Sequence, residues 1–213
     1  AGARIGSYLP SIFEVIGSIW HGIGTGKTDS DSISITLSLL TLLEEISKCH
    51  RDALKANLGS LLPLILGFLH QRRVEQCIVV RQVLHSLVVF GQAVGDFLHL
   101  VIPALVRCCE EEGDSDLVGS PSIRECAIRA LGELSTVLHF PHLLSRVVHP
   151  LLRILDAPSS PAELRHASID TLSQLNRTFG QEFSIFEPQI RRVLVRQRLT
   201  VQGAALLDPQ HQP

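Results

Sequence analysis

The sequence predicts an all-α chain built from helices packed in consecutive pairs. Three observations carry this. Apolar residues recur at three- and four-residue spacing through most of the 213 residues. A proline-led phrase returns five times. Strand signals are poor, since aromatics make up 5% and no run alternates cleanly between turn residues.

The recurring phrase is one or two apolar residues, a proline, then an amphipathic run. Its copies are SYLPSIFEVIGSIW, SLLPLILGFLHQRR, LVIPALVRCCEE, VVHPLLRILDAP and SIFEPQIRRVLVRQR. Their prolines, Pro10, Pro63, Pro103, Pro150 and Pro188, stand 53, 40, 47 and 38 residues apart. A period of roughly 40–47 residues is that of helical-pair arrays of the HEAT and armadillo type. The predicted architecture is therefore a right-handed α-solenoid over residues 1–200, with about four helix pairs and one leading helix. Residues 201–213, VQGAALLDPQHQP, lose periodicity and are expected to be a frayed or non-native tail.

Proline lacks an N–H and fixes φ, so it costs about 3 kcal/mol inside a helix but fits the first turn. Each ring is therefore expected just inside the start of the second helix of a pair, giving helices near 8–20, 60–71, 100–111, 147–156 and 186–198. Between them, SISITLSLLTLLEEISK, VEQCIVVRQVLHSLVVFG, SIRECAIRALGELSTVL and AELRHASIDTLSQLNRTFG each show an apolar helical stripe. In the third, Ile123, Ala127, Leu131, Leu134 and Leu138 share a face, and Ala127, Ala130 and Gly132 admit a close neighbour. Gly91 and Gly180 fall where helices should end. Each sits in the string FGQ, and each is followed six residues later by a phenylalanine, Phe97 or Phe186. Loops are expected at 21–31, at the acidic Gly/Ser-rich stretch 110–122, and at 156–161.

Composition narrows function. With 19 basic and 21 acidic residues the formal charge is −2, which gives no electrostatic reason to expect nucleic acid as a partner. No uninterrupted apolar run reaches the roughly 18 residues of a membrane span, so direct membrane insertion is not expected. Five cysteines, with no CxxC spacing, point to unbridged thiols in a reducing, cytoplasmic setting. Methionine is absent, the first residue included, so the chain reads as part of something longer.

One stretch tempts a nucleotide reading. Gly24, Gly26, Lys27 and Thr28 look like the end of a phosphate-binding loop, but His21 occupies the first glycine position. The segment before it is helical in pattern, and Asp29 and Asp31 would repel phosphate. The alternative is a Gly/Thr/Ser loop with Asp31 or Ser32 capping the next helix, and no nucleotide or other cofactor is expected. His139, His142 and His149 lie in one connection, but four convergent zinc ligands are lacking, so no metal site is expected. No catalytic string is present, and Glu44–Glu45 reads as a solvated pair. The basic run RRVLVRQR places Arg191, Arg192, Arg196 and Arg198 on the last helix, where they are candidates for contact with a protein partner.

DFLHLVIPALVR (96–107), LLSRVVHPLLRILD (143–156), ASIDTLSQL (167–175) and FSIFEPQIRRVLVRQRL (183–199) occur in that order. In order and wording they resemble the middle helical-repeat region of target of rapamycin (TOR) protein kinases, of the phosphatidylinositol-3-kinase-related group. The resemblance extends over 8–199. It implies a non-catalytic scaffold segment of a large cytoplasmic serine/threonine kinase in nutrient and growth signalling, recruited to endomembranes through its partners. It implies protein partners: a second copy of the parent kinase and a Raptor-like adaptor. No ATP-binding, catalytic or rapamycin-binding motif of the family falls on any residue here. The competing expectation is a free-standing HEAT-repeat adaptor of the nuclear-transport or phosphatase-scaffold kind.

Overall fold

The computed structural model describes residues 6–24, 30–70, 76–110 and 122–199. All regular structure among them is helical. The α-helices are α1 (Leu9–Gly24), α2 (Ser30–Cys49), α3 (Arg51–Phe68), α4 (Cys77–Phe90), α5 (Leu98–Glu110), α6 (Ile123–Val137), α7 (Leu144–Asp156), α8 (Ala162–Phe179) and α9 (Glu187–Arg196). The chain divides into two compact units, Ala1–Val101 and Ile102–Pro213, with the boundary inside α5. The tail expected after Thr200 lies outside the described residues.

In the first unit alternate helices stack, α1 on α3 and α2 on α4, while consecutive helices α2, α3 and α4 lean on one another. The core is aliphatic: Leu40 and Leu43 of α2, Leu54, Leu58, Leu62 and Ile65 of α3, and Val80, Val83 and Leu87 of α4 are wholly buried. Trp20 meets Phe68 edge-on, with centroids 5.8 Å apart. The second unit repeats the scheme, with α6 on α8, α7 on α9, and α7 against α8. Gly132 makes the α6–α8 approach close, since a Cβ built there would lie 2.1 Å from Gln174 Oε1 and 3.1 Å from Thr171 Oγ1. Thr171 uses that proximity to donate to the Ile128 carbonyl at 3.0 Å.

Side-chain bonds within each unit join residues about forty positions apart. Gln82–Glu44, Arg51–Gln92, Arg196–Asp156 and Thr171–Ile128 join residues 38, 41, 40 and 43 apart. Three of them tie one helix to the helix two further along, and Arg51 of α3 instead reaches the 3₁₀ turn that starts at Gly91.

The proline rule needs correction. Pro10 and Pro188 do lie at the second residue of α1 and α9. Pro63, Pro103 and Pro150 instead stand inside α3, α5 and α7. The missing N–H of each ring leaves the carbonyl four residues back without its helical donor. The helices persist because apolar stripes begin well upstream of the rings. Leu54 and Leu58 are fully buried before Pro63, as are Val147 and Val148 before Pro150. Burial worth about 1.5–3 kcal/mol per large apolar side chain offsets a cost of about 3 kcal/mol per ring. Helix α3 accordingly starts at Arg51 rather than near residue 60. The stacked pairs are carried by these stripes and by the glycine turns, not by proline.

The two FGQ copies build the same turn. Gly91 has φ +48° and ψ −119°, and Gly180 has φ +46° and ψ −109°, a region that side chains strongly disfavour. Phe90 and Phe179, just before them, are buried. Tight 3₁₀ turns follow, over Gly91–Phe97 in one copy and over Gly180–Glu182 and Ser184–Phe186 in the other. The next helix then begins at Leu98 or Glu187. The first turn has a further consequence. The helical run Cys77–Glu110 is apolar and long enough to cross a membrane by composition alone. The turn at Gly91 splits it into helices of 14 and 13 residues, each short of the roughly 20 that a span needs.

Candidate functional site

In the second unit an open groove of about 490 Å³ runs between α7 and α9. His149, Arg153 and Asp156 line it from α7, and Gln189 and Val193 from α9, with Leu152 in its floor. Helix α7 turns Val147, Val148, Leu151, Leu152 and Leu155 inward. That register sends His149 and Arg153, one turn apart, to the opposite face, and Arg146 falls on the same stripe. In α9, Ile190, Val193 and Leu194 anchor the buried side. Gln189, Arg192 and Arg196 follow one another at three- and four-residue spacing along the other.

The four candidate arginines divide. Arg196 is held by Asp156, with Nη1 at 2.7 Å from Oδ2 and 3.0 Å from Oδ1. Gln197 adds a 2.8 Å bond to the Asp156 carbonyl. Arg191 and Arg192 are exposed on α9. Arg198 lies past the helix end at φ +56° and is also exposed. Arg153, across the groove, pairs with Glu110 at the end of α5. The α7 wall was not singled out by the sequence reading. Its signal was present in SRVVHPLLR, where Arg146, His149 and Arg153 share one helical face.

The other candidates are dispersed. His139 stacks on Phe179, centroids 5.1 Å apart, with Nε2 3.6 Å from Glu182 Oε1. His142 sits in the 3₁₀ turn Pro141–Leu143. His149 meets Phe186 edge-on at 5.9 Å. Among the described residues no three His, Cys, Asp or Glu side chains are grouped to hold a metal. Of the glycine-lysine-threonine stretch, Gly24 ends helix α1, so helix and not strand precedes it. Gly26, Lys27 and Thr28 lie outside the described residues. Helix α2 starts at Ser30, which places Asp31 and Ser32 inside its first turn rather than at a cap.

The Glu44–Glu45 expectation is half overturned. Glu45 is exposed and pairs with Lys48 at 2.6 Å. Glu44 is only 6% exposed, because it follows Leu40 by one turn on the stripe that faces α4. There its Oε1 accepts from Gln82 Nε2 at 2.7 Å and Ser86 Oγ at 2.6 Å. The five cysteines carry no disulfide, and Cys77, Cys108 and Cys109 are buried. Burial, reinforced by the neighbouring Cys108, pushes the Cys109 thiol well above its ordinary range.

No family model matches the chain. Against curated proteins it is 28% identical over 206 residues to the serine/threonine-protein kinase tor1 of Schizosaccharomyces pombe, covering 97% of this chain and 8% of that protein. It is 28% identical over 206 residues to mTor of Drosophila melanogaster, covering 97% and 7%. With TOR2 of Saccharomyces cerevisiae identity is 30% over 167 residues, covering 78% and 6%. The chain is homologous to one segment of the TOR serine/threonine-protein kinases. It spans only 6–8% of the length of these TOR relatives, so the groove belongs to a TOR-related helical segment.

Proposed function

We propose that this TOR-related segment is a non-catalytic scaffold of HEAT-type helical repeats within a TOR-like serine/threonine kinase. The observation that supports it best is the join of two facts. Nearly the whole chain aligns with TOR kinases, and its described residues build stacked helix pairs with open grooves between alternate helices. Such pairs expose long ridged surfaces suited to binding other proteins. On this reading the catalytic domain lies elsewhere in the parent protein. The segment contributes surface for a second copy of the kinase and for a Raptor-like adaptor, in the cytoplasm, in nutrient and growth signalling. Arg191, Arg192 and Arg198 are part of that surface.

Cross-linking mass spectrometry on the purified parent kinase with its bound partners tests this. Cross-links from this segment to a second copy or to an adaptor are expected. Links confined to the same copy's catalytic domain would overturn the docking role. A free-standing adaptor would instead show no kinase sequence in the same transcript.

A further inference from the structure

We infer that the α7–α9 groove is the docking site for an acidic, aliphatic-bearing segment of a partner protein; this deepens the scaffold reading and rests on it. Charge points to the ligand. Residues 144–156 and 187–198, which form the walls, carry six arginines against Asp156 and Glu187 alone. That is a surplus of four positive charges on a chain whose formal charge is −2. Two of the acids near the groove are already committed, Asp156 to Arg196 and Glu110 to Arg153. Arg146, Arg191, Arg192 and Arg198 are exposed and form no ion pair among the described residues.

The shape selects among anions. Leu152 and Val193 give the groove an apolar lining beside Arg153, and Arg146 and Arg192 stand one helical turn from His149 and Gln189 on the stripes that border it. A peptide with acids flanking an aliphatic residue satisfies both, placing the aliphatic group on the floor and the carboxylates against the guanidinium forks. A single-stranded nucleic acid would want exposed aromatic faces for its bases. The aromatic ring nearest the groove, Phe186, is buried against His149.

The test uses the purified chain and a short fluorescent peptide built of Glu-Glu-Leu triplets, with a Lys-Lys-Leu peptide and a single-stranded RNA as comparators. Anisotropy should show saturable binding of the acidic peptide that weakens as salt rises, and none of the basic one. Arg192→Glu and Arg146→Glu, both at exposed positions, should each weaken binding about ten-fold with unchanged circular dichroism. Arg177→Glu, on α8 and outside the groove, should leave it unchanged. Equal binding of both peptides, indifference to the Arg146 and Arg192 reversals, or tighter binding of RNA would overturn the inference. Loss of the peptide result with adaptor or second-copy cross-links intact would discard this groove alone. Loss of the cross-links would discard the scaffold reading.

Discussion

Replacing Gly180 by alanine isolates one physical effect. A Cβ at Gly180 would have no heavy atom within 4 Å, so packing neither resists nor rewards it. The cost is then purely conformational. At φ +46° and ψ −109° an L-residue is held outside its populated regions, at about 1–3 kcal/mol. Alanine also restricts the unfolded chain, which favours the variant by about 0.4–1 kcal/mol. The net expected loss is about 1–2 kcal/mol, and Gly91→Ala should match it because its backbone angles are nearly the same. For a chain of this length each kcal/mol lowers the melting midpoint by about 2–4 °C, readable by circular dichroism at 222 nm. Gly67→Ala is the control. It lies in the last turn of α3, its Cβ would also meet nothing within 4 Å, and its φ is not positive. Alanine there should raise stability by up to about 1 kcal/mol. If Gly180→Ala melts at or above the wild-type temperature while Gly67→Ala behaves as stated, the turn does not need a positive φ and the reasoning fails.

Glu44→Ala should cost about 1.5–3 kcal/mol in urea unfolding, because it removes the charged acceptor of the half-buried Gln82 amide and of the buried Ser86 hydroxyl, which keeps only the Gln82 carbonyl; a neutral result would mean water replaces the carboxylate. Arg196→Ala should cost under about 1 kcal/mol although its Nη1 reaches both Asp156 oxygens, since the arginine side chain is 56% exposed. Thr171→Val keeps the shape but loses the bond to the Ile128 carbonyl, and about 1 kcal/mol of stability should go with it. The folded state holds the Cys109 proton more tightly than the unfolded chain. This thiol therefore leaves stability unchanged well below about pH 8.5, the pKa of an unfolded thiol, and lowers it as pH rises through and beyond that value. Cys109→Ala should flatten that alkaline decline, and an unchanged slope would show that another group causes it.

Much of the fold was legible from spacing alone. The apolar stripes located the helices, and FGQ marked two turns that share one backbone geometry. The Ala127, Ala130 and Gly132 set anticipated the close contact of α6 with α8. One cue was overlooked: Ser122 accepts from the Glu125 N–H at 3.1 Å, a helix-start pattern visible in SIRE. The proline rule failed because it weighed a local cost without the burial that outweighs it. Leu54, Leu58, Val147 and Val148 are indifferent to the rings that follow them and are fully enclosed by neighbouring helices. For the site, the arginines of α9 stood out as a run. Their counterparts on α7 did not, because the two helices are separated by α8 in sequence and meet only when stacked.

By itself, then, the sequence settled what depends on near neighbours: which segments are helical, which glycines must turn the chain, and which kinases share its wording. The tertiary structure decided what depends on residues some forty positions apart. It buried Glu44 against Gln82 and Ser86, committed Arg196 to Asp156, kept Pro63, Pro103 and Pro150 within continuous helices, and brought α7 and α9 to either side of one groove. The physical reason is the same in each case. Burial and pairing energies arise between stacked helices, and no local pattern states which face a neighbour will cover.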